Sequence, residues 1–261
     1  MTSPGLAATG PARQDSVGRR LRVVSYNVRD LLDDRAATAR VVKACRPDVL
    51  CLQEAPRRPG TLCRTTRLVR DTGLRPVVGG RESGGTAVLV APGIEVLAAD
   101  AVRLPVAHLW TRRRGFAMAR VRLPDGAQLT VASVHLPLGS DDRLEHVRLV
   151  CSGLTELATA AVVVCGDLNE PPGGPSWMAL GPLVRDPVSN RPTDGAVSDS
   201  PTYPAKAPRH RIDGVLVSEA VRVVALRPAG DPEGLRREDL VAASDHLPLV
   251  ADLELAKMCA G

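Results

Sequence analysis

Residues Ala161–Asn169 read AVVVCGDLN: five apolar residues, then a glycine, an aspartate and an asparagine two positions on. A run this short and rich in valine reads as a buried strand. Its downstream end is polar. The same form recurs along the chain. LRVVSYN ends on Asn27, DVLCLQE on Gln53 and Glu54, and LTVASVH on His135. Asp213 lies within RHRIDGVLV, and Ser244, Asp245 and His246 open the last apolar run. Any one of these residues alone is best read as a loop cap or turn former. Six such places in one chain argue for a shared site, because α/β folds put ligands at strand ends beside loops.

Outward from these strands the punctuation is clear. Arg35–Cys45 is Ala-rich and reads as a helix stopped by Pro47. Thr86–Val90 follows Gly84-Gly85, and Ile94–Leu97 continues after a Pro92-Gly93 turn. Phe116–Leu123 and Gln128–Leu136 flank Pro124-Asp125-Gly126, a hairpin turn. Ser140 is the expected N-cap of a helix whose Leu144, Val147, Cys151, Leu154 and Leu157 share one apolar face. Pro175 can open a short helix, and Ile212–Val217, Val221–Leu226 and Leu247–Leu253 complete the strands. Many strands with few helices between them predict two packed sheets with helices outside, an α/β (α+β) architecture in one domain over 21–261. Residues 1–20 are dominated by small residues, Gly and Pro, and predict a flexible tail with no signal-peptide core.

Among 261 residues there are one Phe, two Tyr and two Trp, so the core must be built from Val, Leu and Ala. That scarcity argues against a base-stacking single-strand binder and against membrane insertion. Only three of the 34 basic residues are lysine, and arginine suits bidentate phosphate contacts. A GC-rich coding sequence explains the arginine bias as well. Of the net charge of +5, residues 1–22 carry +3, so net charge says little about a polyanionic partner. The six cysteines form no CxxC pair, which argues against a zinc site and for a reducing, cytoplasmic location.

The ordered set SYN (Ser25–Asn27), LQE (Leu52–Glu54), GGTAVL (Gly84–Leu89), ASVHL (Ala132–Leu136), GDLN (Gly166–Asn169), RIDGVLVS (Arg211–Ser218) and SDHLPL (Ser244–Leu249) resembles the endonuclease/exonuclease/phosphatase superfamily, the DNase I-like fold. The resemblance implies a four-layer αββα sandwich and a divalent-metal phosphoesterase. It implies that Glu54, with Asn27 and Asp245, holds Mg²⁺ (or Mn²⁺), a cation that takes few carboxylates and keeps its waters. It further implies that Asp167 orients or deprotonates the attacking water and that Asn169 donates to a phosphate oxygen. His246 would be held by Asp213, and His135 would donate to the phosphate or the leaving group. Whether the His246–Asp213 pair activates water or binds phosphate stays open.

Two departures narrow the branch. Arg29 stands where abasic-site enzymes of the superfamily carry an acid, and His135 where they carry Tyr. No disulfide pattern or signal peptide suggests a secreted nuclease. Arg57 and Arg58, Arg112–Arg114, and Arg209 with Arg211 are candidates for substrate contacts, as readily read as solvated surface. Arg57, Arg114, Arg211 and Tyr203 are the ones singled out. Trp110 and Trp177 read first as packing residues. The expectation is a monomeric phosphodiesterase or nuclease with no membrane partner, acting on nucleic acid or a small phosphorylated metabolite. The rivals are a phosphomonoesterase and, remotely, a catalytically silent scaffold.

Overall fold

A computed structural model describes residues 20–57, 62–105, 113–157, 159–189 and 197–255. The expectations for Arg58, Trp110, Arg112 and the N-terminal tail fall outside these, except for Arg20. In chain order the elements are β1 (Arg20–Asn27), α1 (Arg35–Cys45), β2 (Val49–Gln53), α2 (Leu62–Thr72), β3 (Arg75–Gly79), β4 (Ala87–Val90), β5 (Glu95–Arg103) and β6 (Gly115–Arg122). There follow β7 (Gln128–His135), α3 (Ser140–Leu157), β8 (Val162–Asp167), α4 (Pro175–Leu180), β9 (Asp213–Val217), β10 (Val221–Pro228), α5 (Arg237–Ala243) and β11 (Leu249–Leu255).

The layering follows from the two-residue period of each strand. In β1, Leu21 and Val23 join an apolar layer shared with β6, β7, β8 and β9, whereas Val24 and Tyr26 pack with α1, α2 and α5. In β8, Val163 and Cys165 face that shared layer, and Val162 and Val164 pack with α3 and α4. One sheet runs β10-β11-β1-β2-β4-β3 and the other β5-β6-β7-β8-β9. They pack face to face with helices outside, the four-layer αββα sandwich. Burying one Val or Leu in such layers contributes about 1.5–3 kcal/mol. Repeated over three apolar clusters, this does the work that aromatic residues do elsewhere.

The expected helix over Arg35–Cys45 forms with those bounds, and Asp34 caps it by accepting from the amides of Ala36 (2.8 Å) and Ala37 (3.1 Å). The Pro124–Gly126 turn joins β6 to β7, with Gly126 at φ +88°. Ser140 is a correction. It begins α3 rather than preceding it, and its hydroxyl turns to Asp141 (3.4 Å) instead of capping an amide. β5 continues to Arg103, beyond the expected Leu97. The described cysteines are free thiols, and Cys51 and Cys165 are buried between the sheets. No helix among the described residues is long and apolar enough to cross a membrane.

Candidate active site

Register brings the polar strand ends together. Across the five-stranded sheet, His135 pairs with Asp167 and Asp167 with Asp213, so β7, β8 and β9 carry three functional side chains in one row. Neighbouring strands are about 4.8 Å apart, close enough for direct contact. The facing sheet adds Asn27, paired in register with Gln53, and then Glu54 at the next residue. Gly166 is needed for this closeness: a Cβ there would fall 2.2 Å from the carbonyl oxygen of Val134. Beneath the row, Gln53 Nε2 donates to Ser133 Oγ (3.1 Å), and Ser133 donates to the carbonyl of Leu52 (2.7 Å). This buried polar link ties one sheet to the other.

Asp167 is the hub. Asn27 Nδ2 donates to its Oδ2 at 3.0 Å, and His135 Nε2 and His246 Nε2 approach the same oxygen at 3.4 and 3.8 Å. Its Oδ1 accepts from the amide of Asn169 at 3.0 Å. Asp167 is 2% exposed, and burial followed by the charge of Asp213 pushes its carboxyl up to about 7. His246 Nδ1 contacts Asp213 Oδ2 at 2.9 Å. Burial alone would lower the imidazolium, but Asp213, Asp167 and Asp245 outweigh it and raise His246 to about 9. Thr202, which the sequence reading missed, donates to Asp213 Oδ2 at 2.5 Å. Tyr203 lies with its ring centroid 4.7 Å from that of His246.

Asn169 and Glu54 both adopt left-handed backbone, each at φ +50°. Asparagine tolerates that conformation, and glutamate rarely does. Glu54 is held there by hydrogen bonds on either side of its carbonyl carbon: its own carbonyl accepts from Asp30 (2.7 Å), and the next amide, Ala55, reaches Gly85 (2.7 Å). Asn169 Nδ2 spends one hydrogen on the carbonyl of Leu136 (2.8 Å) and has a second for a ligand. Asp245 makes an ion pair with Arg29 (3.6 Å), beside Ser244, whose hydroxyl donates to the Asn27 carbonyl (2.7 Å).

Arg114 and Arg211, expected to touch substrate, each have partners within the fold. Arg114 is buried, 8% exposed, with Nη1 at 2.9 Å from His135 Nδ1 and 3.4 Å from Glu54 Oε1. A guanidinium only donates, so His135 Nδ1 accepts and the ring proton sits on Nε2, facing Asp167. Arg211 is bound bidentately by Asp186 (2.7 and 2.9 Å), reaches Asp199 (3.2 Å), and lies 5.2 Å over the Trp177 ring. Both of its terminal nitrogens thus pair with carboxylates of the fold. Trp177 is itself buried, donating to the Glu170 carbonyl (2.9 Å), as its packing reading anticipated. Burial works against the Asp186 carboxylate, but the hydrogen bonds and charge of Arg211 hold it below the usual carboxylate range. Asp186→Asn is therefore expected to cost about 2–3 kcal/mol at neutral pH. A carboxylate with a depressed folded pKa stabilises fully above its unfolded value, about 3.9, and less as pH falls through the folded one. Chemical denaturation of both proteins from pH 7 to 3 should show the gap closing below about pH 4.

The donors offered by Glu54, Asn27 and Asp245 are all oxygens, the set that suits a hard divalent cation. Asp167, Asp213 and His246 offer atoms that lie within 4.8 Å of one another. In both sets some of these atoms already have partners: Asp213 pairs with His246, Glu54 with Arg114 and Asp245 with Arg29.

The sequence matches the Endonuclease/Exonuclease/phosphatase family over residues 24–246. The chain belongs to that family. Its members hydrolyse phosphoesters, and this family member is a phosphoester hydrolase. Solved structures share its fold. The mannosyl-6-phosphatase of Bacteroides thetaiotaomicron aligns with TM-score 0.70 at 18% identity, covering 89% of this chain and 99% of that one. The human Nocturnin catalytic domain with bound sulfate aligns at 0.69 and 19%, covering 91% and 94%. D. rerio TDP2 complexed with single strand DNA product aligns at 0.68 and 19%, covering 90% and 99%. A comparison with curated protein sequences finds no match.

Proposed function

We propose that this family member is a Mg²⁺- or Mn²⁺-dependent phosphodiesterase. The convergence of Asn27, His135 and His246 on one oxygen of Asp167 carries the reading. A carboxyl raised to about 7 can take a proton from water near neutral pH. His246, raised to about 9, is cationic there and suits a phosphate oxygen or the departing oxygen rather than the role of base. Asp213 and Thr202 position its ring. His135, with its proton on Nε2, donates to the phosphate, and the second amide hydrogen of Asn169 does the same. Glu54, with Asn27 and Asp245, would hold the cation. When bound, Mg²⁺ or Mn²⁺ supplies positive charge to the non-bridging oxygens.

The test is hydrolysis of bis(4-nitrophenyl) phosphate with Mg²⁺ or Mn²⁺ by the wild type, Asp167→Ala and His246→Ala. Equal rates for all three would overturn the reading. Chelation with EDTA is expected to bring the wild type to background and readdition of Mn²⁺ to restore it. A panel of phosphomonoesters in the same assay, read by release of inorganic phosphate, separates a monoesterase from a diesterase.

A further inference from the structure

Beside the reacting centre lies a cavity of about 300 Å³ walled by Arg57, Arg81, Arg103, Arg113 and Gly84. Four guanidinium groups around one hollow repel one another, a cost that a bound anion removes. The fold holds two of them by neutral oxygens. Arg57 Nη1 donates to the carbonyls of Gly84 (2.7 Å) and Arg113 (2.5 Å), and Arg103 Nη2 donates to that of Arg81 (3.1 Å). The adjacent carboxylate, Glu82, pairs with Arg103 at 3.2 Å. Arg81 and Arg113 are exposed, and their guanidinium groups have no partner among the described residues. The cavity adjoins the centre along one wall: Arg113 precedes Arg114, Arg57 follows Glu54 by three residues, and a Cβ on Gly84 would lie 2.3 Å from the Arg114 backbone.

We infer that this cavity is a second anion subsite, taking a phosphate of the substrate other than the one hydrolysed. The inference rests on the phosphoesterase reading and narrows it. The substrate carries at least two phosphates, as an oligonucleotide or a polyphosphorylated small molecule does. Planar guanidinium groups match phosphate bidentately, and two of them here are unspent.

The test is equilibrium binding by calorimetry in EDTA, where nothing is turned over. The probes are thymidine 5′-monophosphate, a 5′-phosphorylated tetrathymidylate and inorganic tripolyphosphate. The wild type should bind at least one of the two multiply charged probes about tenfold or more tighter than the monophosphate. Arg81→Glu/Arg113→Glu should remove that advantage, and Arg20→Glu, at the far end of β1 from Asn27, should keep it. An advantage confined to the tetranucleotide identifies a nucleic-acid strand, and one shared with or confined to tripolyphosphate identifies a polyphosphate. The inference is overturned if the wild type shows no advantage, or if the double variant retains it. The phosphoesterase reading fails separately, by absence of turnover with Mg²⁺ or Mn²⁺ while the binding advantage stands.

Discussion

Asp167→Asn is expected to lower kcat on a phosphodiester by about 10³-fold while leaving the protein as stable as the wild type or more so. The two effects have one cause. Asp167 is buried, close enough to Asp213 for the two negative charges to repel, and its raised carboxyl records the strain of holding charge there. An asparagine keeps the shape and carries no charge; its single oxygen accepts from Asn27 or from the Asn169 amide, and relief of the repulsion from Asp213 offsets the bond that is lost. It also cannot take a proton from water. Kinetics and thermal unfolding on the same preparation check both halves. A loss under tenfold would remove Asp167 from the role of base. A large fall in melting temperature would mean that it holds the sheets together instead.

The second large effect is expected at Asp213, which acts through its neighbour. Asp213→Asn should lower kcat by about 10²–10³-fold, with the loss growing as pH rises. Oδ2 of Asp213 accepts from His246 and from Thr202. The substituted amide gives His246 no charge, and a raised imidazolium pKa needs that charge. Its stabilisation is complete below the ring's ordinary pKa and is lost as pH climbs toward the folded value, about 9 in the wild type. In the variant the proton leaves earlier, so the defect should be smaller at pH 6 than at pH 8. A defect that does not vary with pH would point to displaced geometry instead. Substitution of Thr202 by Val should give a milder version of the same profile.

Much of this centre is legible in the sequence, because strand ends announce themselves. AVVVCGDLN and LTVASVH have polar residues where the apolar run stops, and parallel pairing of β7 with β8 turns that coincidence of position into contact. Three elements were not readable. β3, RPVVG, is a short edge strand with little alternation to detect. α2 is rich in Arg and Thr, and α5 is only seven residues long. The settings of the arginines are harder to read. Arg114 reads like its neighbours in an RRR run, yet it is buried because Glu54, 60 residues earlier, lies against it. Arg211 is taken up by Asp186, 25 residues away. Partners at such distances leave no local trace. What separates a structural arginine from a ligand-facing one is a tertiary pairing, and the exposed Arg81 gave no sign of itself.

The pairing of the first described strand with the last has a further consequence. β1 runs along β11 for six residues in register, while the five-stranded sheet is drawn entirely from one uninterrupted middle portion, β5 to β9. A chain emerging from the ribosome thus exposes every strand of that sheet before β10 and β11 exist. The N-terminal half of the other sheet must wait with an open edge at β1, a surface prone to pairing with the wrong neighbour. His246, just ahead of β11, is delivered in the same late segment. Competence therefore waits for β11, and arrives when that strand zips onto β1. Recovery of activity on refolding should lag behind the first gain of β-structure, so that turnover serves as a clock for the final docking of the two sheets.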